Sequence, residues 1–243
     1  MEPTASLNFD AAEGEAFDRL ASRWWDPQGE FRPLHDLNGP RVDWITSIAP
    51  VSGKRLADIG CGGGLLTEAM AAAGAEVVGV DMAKKPLAVA RLHQVESGFD
   101  IDYRQQTAEQ LAAEAPASFD VVCCLEMLEH VPDSQSVVSA CLELARPGAD
   151  VFFSTINRSP LAWAMAIVGA EYVLNLLPRG THRYDRLIRP SELACCVRNA
   201  GGSVRRIEGI HYNPFSRTVS IGGAPRVNYL LHAQKPAGAT DSS

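Results

Sequence analysis

Residues 126–130, Glu-Met-Leu-Glu-His, set two carboxylates and an imidazole within five positions, directly after the apolar run Phe119–Leu125. A strand ending at Leu125 would project such side chains from a rigid edge, where function commonly sits. If the segment is helical, Glu126, Glu129 and His130 stand at i, i+3 and i+4 and share one face. Such a face can hold a hard divalent cation, with water and substrate oxygens completing the shell. A catechol offers two adjacent oxygens to chelate, and a metal would lower a phenolic pKa from its usual value of about 10. Alternatively His130 acts as a general base without a metal. In the plainest reading Glu129 and His130 cap a helix or pair with arginines.

A second segment with chemistry is LADIGCGGGLLTEAM: an apolar strand pattern, a glycine turn and a helical pattern. Gly60, Gly62 and Gly64 permit close backbone approach to a ligand, and the helix starting near Leu65 offers unpaired N–H groups there. Asp81 ends the next apolar run, where an acid can accept both hydroxyls of a ribose. The dinucleotide fingerprint G-x-G-x-x-G is not met, because its sixth position is Leu65. Asp58 adds a negative charge that repels a phosphate and attracts an ammonium or sulfonium. S-adenosylmethionine carries both cations, so the loop favours it over a nicotinamide dinucleotide or ATP.

These segments need a scaffold. From Arg55 onward, apolar runs at 55–60, 76–80, 101–106, 119–125 and 150–155 alternate with helical patterns at 65–73, 84–96, 108–115 and 134–145. That alternation predicts an α/β fold: a parallel sheet with helices on both faces. The Arg-Pro-Gly-Ala-Asp stretch around Gly148 reads as a helix-to-strand turn. Upstream, apolar residues from Phe9 to Trp24 keep helical spacing, and a further helix is expected after Pro40, which makes residues 1–50 an N-terminal helical cap. Trp24 and Trp25 belong either to the core of that cap or to a surface closing over the cofactor. Downstream, a helix is expected from Pro190, then two strands, SVRRIEG and VNYLLHAQK, joined by a loop carrying HYNPF (211–215). The second domain is placed at 51–236, with 158–189 as an apolar insertion and 237–243 as a disordered tail.

The net charge of -7 lacks the basic footprint of a nucleic-acid binder. Six cysteines form no C-x-x-C, and the pairs Cys123-Cys124 and Cys195-Cys196 read as small buried hydrophobes. No signal peptide is recognisable, so a reducing cytoplasmic setting is expected. Residues 158–177 (RSPLAWAMAIVGAEYVLNLL) have a broad apolar surface broken by Glu171 and Asn175, and Arg179, His182, Arg183, Arg186 and Arg189 follow. This is the pattern of an interfacial anchor on an anionic membrane, or else of a helix buried against the sheet.

Together ASRWWDPQGEFRPLH, DIGCGGG, LEMLEHVPD, FFSTINR, GTHRYDRLIRPSEL and HYNPF resemble the ubiquinone-biosynthesis O-methyltransferases, over roughly residues 9 to 235. The resemblance implies a class I methyltransferase fold with a seven-stranded, mostly parallel sheet, in which VNYLLHAQK is the antiparallel strand. It implies S-adenosylmethionine as cofactor, held by Arg41, Gly60, Asp81 and Leu125. It implies magnesium, with Glu126, Glu129 and His130 as ligands, and a catalytic role for Glu129 and His130. The implied substrate is a polyprenylated phenol or catechol, O-methylated at two steps of ubiquinone synthesis. Other enzymes of that pathway are the implied partners, at the inner face of the membrane. One departure is that Gln106-Thr107-Ala108 stands where many class I enzymes place an acid for the adenine amine, so that contact stays unassigned. Without the resemblance Arg41 reads as a surface arginine. The competing functions are methylation of another small phenol, nicotinamide-dependent oxidoreduction, and a non-catalytic lipid-binding or assembly role.

Overall fold

The structure, a computed structural model, describes residues 7–164 and 184–237. Its centre is an eight-stranded sheet of order β3-β2-β1-β4-β5-β8-β6-β7. Strands β1 (Arg55–Ile59), β2 (Glu76–Val80), β3 (Ile101–Arg104), β4 (Phe119–Leu125) and β5 (Ala145–Ile156) are parallel, and helices connect them. These helices are α3 (Leu65–Ala72), α4 (Lys84–Ser97), α5 (Ala108–Glu114) and α6 (Ser134–Leu144). β8 (Asn228–Gln234) lies antiparallel between β5 and β6 (Ser203–Asn213), and β7 (Thr218–Ile221) closes the edge. The order reverses between β1 and β4, so the carboxyl ends of those strands open the crevice where ligands bind in such sheets.

Successive residues of the central strands feed opposite faces, the period of two that a strand imposes. Leu56, Val121 and Cys123 pack under α2 (Arg32–Ile48), α3 and α4, while Ala57, Val122 and Cys124 pack under α5 and α6. Both Cys123 and Cys124 are therefore buried as expected, but Cys195 is exposed and Cys196 half-buried. Their helix α8 (Pro190–Asn199) buries Leu193, Ala194 and Val197, and that spacing turns Cys195 outward.

Four expectations about the scaffold need correction. The sheet has an eighth strand, because HYNPF is a loop only at Pro214-Phe215: β6 runs on to Asn213 and the chain turns back as β7. The Asn213 side chain accepts from the backbone N–H groups of Phe215 and Ser216 at 2.9 and 3.2 Å, which shapes that turn. The stretch around Gly148 lies within β5 as a bulge, where the register against β4 slips between Phe119 and Val121. The N-terminal helix pattern breaks into α1 (Ala11–Leu20) and a 3-10 turn at Ala21–Arg23. α2 begins eight residues before Pro40, at Arg32, with Pro33 in its first turn. Pro40 removes one internal hydrogen bond, but Leu37, Arg41 and Ile45 are buried along one face, and that packing carries the helix through.

Ser159 caps a short helix α7 (Pro160–Ala162) after β5. Most of the expected 158–177 anchor, and the basic residues up to 183, lie outside the described residues, as do residues 238–243 of the expected tail. Among the described residues no helix is long and apolar enough to cross a membrane.

Candidate active site

The carboxyl ends of β1, β2 and β4 and the N-terminal segment wall one cavity. Arg41, Gly60, Asp81, Leu125, Glu126 and His130 all line it, although they come from distant parts of the chain. Glu129 does not line it.

On the β1 side, Gly60, Gly62 and Gly64 have φ of +74, +54 and +89°, a region that disfavours side chains. Crowding adds a second reason for glycine. A Cβ on Gly60 would strike Met127, and one on Gly62 or Gly63 would strike the Trp24 indole. Trp25 donates its indole N–H to the Gly63 carbonyl at 2.9 Å and stacks on His93, with ring centres 3.5 Å apart. The two tryptophans therefore lie on the glycine loop as a lid, and Trp24 is also buried against Phe31.

Asp81 directly follows β2 and accepts from Gly62 N–H at 2.8 Å and Ala83 N–H at 2.7 Å, one bond to each carboxylate oxygen. Burial raises its pKa, against these bonds, which lower it. Asp58, one strand away, is buried with Oδ2 accepting from the Thr67 hydroxyl at 2.6 Å. Burial raises its pKa to about 7, the Thr67 bond opposes this, and the like charge of Asp81 adds to it. Its negative charge is thus only partly present at neutral pH, less than the sequence alone implies.

On the β4 side, the 126–130 segment is not a helix. Glu126 has φ +52° and only Leu128–His130 forms a 3-10 turn, so the three ionisable side chains part. Glu126 Oε1 accepts from Arg41 at 2.5 Å and from Ser154 Oγ at 2.7 Å, and Asn228 lies 3.4 Å from Oε2. Arg41 is only 5% exposed, so it is not the surface arginine that its sequence context suggests. Glu129 turns into the core, where it accepts from Thr155 Oγ1 at 2.7 Å, and its other oxygen is buried with no hydrogen-bond partner. Burial raises the Glu129 pKa and the nearby Glu126 charge raises it further, against His130. His130 faces the cavity with Nδ1 3.1 Å from Glu13 Oε2, and its ring meets Phe17 edge-on. Burial alone would lower the His130 pKa, but the bond to Glu13 and the charges of Glu129, Glu13 and Glu126 outweigh it and raise the value.

A methyltransferase domain model matches residues 57–153. The chain is 57% identical over 228 residues to the ubiquinone biosynthesis O-methyltransferase of Stutzerimonas stutzeri, covering 94% of this chain and 98% of that one. It is 54% identical to the protein of the same name from Saccharophagus degradans, over 96% and 99% of the two chains. The chain belongs to the ubiquinone biosynthesis O-methyltransferases. Among solved structures, magnesium protoporphyrin IX methyltransferase from Synechocystis PCC 6803 with bound SAH superposes with a TM-score of 0.69 at 21% identity, over 93% of this chain and 97% of that one. That likeness speaks for the fold, which is the class I methyltransferase fold.

A member of the ubiquinone biosynthesis O-methyltransferases is an S-adenosylmethionine-dependent enzyme, and the cavity suits that cofactor. Asp58 and Asp81 both line the cavity, at the carboxyl ends of β1 and β2. Gln106, Thr107 and Ala108 also line the cavity. The expected magnesium ligands fit less well. Among the described residues no three His, Cys, Asp or Glu side chains are placed to share an ion, and Glu126 is engaged with Arg41.

Residues that sequence reasoning missed come from the N-terminal segment: Asn8, Asp10, Glu13 and Phe17 line the same cavity. The one available signal was Asp10 as a helix-capping residue with Glu13 in the first turn of α1.

Proposed function

We propose that this enzyme methylates a phenolic or catecholic hydroxyl of polyprenylated ubiquinone precursors, at both O-methylation steps, with His130 as general base. The observation that carries the reading is that His130 lines the same cavity as the glycine loop and Asp81. Bound there, S-adenosylmethionine supplies a sulfonium methyl group that a phenolate displaces in line, leaving a neutral thioether. The chain must align the partners and take up the hydroxyl proton. His130, held at Nδ1 by Glu13, is the imidazole on this cavity that takes up that proton. Arg41, Gly60, Asp81 and Leu125 hold the cofactor, and the Trp24–Trp25 lid keeps water from the glycine loop.

Incubation with labelled S-adenosylmethionine and a short-chain polyprenyl catechol tests this. His130→Ala is expected to lower kcat about a hundredfold or more while leaving cofactor affinity intact. Loss of both together would make the segment a folding element. Chelator in the same assay examines the magnesium expectation: activity that survives exhaustive chelation removes Glu126 and Glu129 from any essential ligand role.

The same reading extends to the membrane, where a polyprenyl substrate resides, and to other enzymes of the pathway as partners. Leu161 and Trp163, at the described start of the apolar stretch, are 44% and 48% exposed. Burying one such side chain contributes roughly 1.5–3 kcal/mol, and each basic residue near an anionic surface adds about 1 kcal/mol. Charged residues at 161 and 163 are expected to abolish sedimentation with anionic liposomes and to spare methylation of a soluble substrate. A full chain that ignores such liposomes would refute the anchor.

A further inference from the structure

We propose that His93 is a positioning residue for cofactor binding: held by Glu68, it keeps Trp25 on the Gly63 carbonyl and so fixes the glycine loop before S-adenosylmethionine arrives. The inference rests on the reading that the cofactor lies against this loop.

The contacts close on themselves. Gly62, Gly63 and Gly64 are consecutive, and glycine has more backbone freedom to lose on ordering than any other residue. The peptide joining Gly63 to Gly64 is planar and trans, so its C=O and N–H point in opposite directions. Both ends are engaged. Trp25 donates its indole N–H to the Gly63 carbonyl at 2.9 Å, and the Gly64 N–H donates to the Cys61 carbonyl at 2.9 Å. The Cys61 bond closes the loop locally, whereas the Trp25 bond reaches it from 38 positions away. Trp25 is only half-buried, so its indole needs a support of its own. His93 of α4 supplies it: the two rings are parallel to within 1°, with centres 3.5 Å apart. His93 Nδ1 in turn lies 2.8 and 2.9 Å from the two carboxylate oxygens of Glu68. A carboxylate only accepts, so the ring donates, and that bond sets its plane. Glu68 is 5% exposed and belongs to α3, where its backbone N–H donates to the Gly64 carbonyl at 2.9 Å. The path therefore runs from the loop through Trp25, His93 and Glu68 and back to the loop.

The N-terminal helices dock without this path. Asn38 of α2 donates to the Leu65 carbonyl at 2.9 Å, and Asp18 of α1 accepts from the Lys85 N–H at 2.8 Å. Losing His93 thus frees Trp25 while α1 and α2 keep their own anchors. A loop already held in its bound form loses less freedom when the ligand arrives. That advantage appears in affinity and is the same for ground state and transition state, so the chemical step does not feel it.

The test uses the full chain and the variants His93→Ala, His93→Asn, Trp25→Phe and Asp81→Ala. The readouts are S-adenosylmethionine affinity by calorimetry, kcat and cofactor KM with a short-chain polyprenyl catechol, and amide hydrogen exchange over residues 60–66 without cofactor. His93→Ala is expected to weaken binding and raise the cofactor KM about tenfold, with kcat at saturating cofactor moving by less than about twofold. Exchange over residues 60–66 is expected to quicken in the same variant. Asparagine sets an amide N–H near the place of Nδ1, so His93→Asn is expected to recover most of the affinity. Trp25→Phe keeps a ring for His93 but no donor for Gly63, so it is expected to bind as weakly as His93→Ala. Native affinity in His93→Ala or in Trp25→Phe overturns the proposal. So does a loss confined to kcat, unchanged loop exchange, or an asparagine variant no better than alanine. If Asp81→Ala also binds at native affinity, the cofactor is not on this loop and both readings fall. If Asp81→Ala alone binds weakly, the cofactor reading stands and the role of His93 is refuted.

Discussion

Replacing Asp81 with alanine is expected to weaken S-adenosylmethionine binding by about a hundredfold or more. Each oxygen of this carboxylate already accepts one loop N–H, from Gly62 or Ala83, and these bonds aim the group at the cavity. In the proposed cofactor pose, ribose hydroxyls donate to the remaining lone pairs. Hydrogen bonds to a charged group contribute about 1.5–3 kcal/mol each, so losing two costs about 3–6 kcal/mol. Alanine also strands the Gly62 and Ala83 donors and loosens the glycine loop, which adds to the loss. Asp81→Asn is the milder control, because it keeps one acceptor but turns a donor towards one of the loop N–H groups. Calorimetric titration of folded variants is the measurement. An unchanged dissociation constant in Asp81→Ala would place the cofactor elsewhere.

Much of this site could be read from sequence because it hangs on central strands. β1, β2 and β4 are flanked on both sides, so their residues must be apolar on both faces, and contiguous runs such as Val121 to Cys124 betray them. Glycine after β1 and an acid after β2 are the residue types that the proposed cofactor requires there. β7 gave no such signal: a four-residue edge strand, exposed on alternate positions, needs no apolar run. The 126–130 segment misled for a local reason. Its spacing fits a helical face, but the chain leaves β4 through a left-handed residue, Glu126, whose carboxylate is drawn to Arg41 and Ser154. Arg41 itself was identifiable only by family resemblance, since its burial depends on packing between α2 and the strand ends. Glu13 stayed invisible because a charged residue on an amphipathic helix carries no mark of its partner when that partner is 117 positions away.

The second large effect concerns Asp58, where binding and stability pull in opposite directions. Its carboxyl is buried, and its pKa is raised from 3.8 to about 7 by burial first, with the Asp81 charge adding to it and the Thr67 bond opposing. An acid with a raised folded pKa binds more protons in the native than in the unfolded state across the interval from about 4 to about 7. Without ligand, stability therefore falls as pH rises through that interval and levels off above it, by an amount on the order of a few kcal/mol. Asparagine at 58 can still accept from Thr67 and has no charge to desolvate. Asp58→Asn is expected to melt higher than the native chain at pH 8 and to lose the decline between pH 5 and 8. A bound cation reverses the balance, because it favours the carboxylate. Cofactor binding is thus expected to tighten as pH rises through about 7 and, at pH 7, to release about half a proton. Calorimetry in buffers of different ionisation enthalpy reads that proton directly. Asp58→Asn should bind more weakly at pH 8, with no proton release. Proton release that persists in the variant would move the titrating group away from Asp58, and affinity indifferent to pH in the native chain would mean that no cation of the cofactor lies against it.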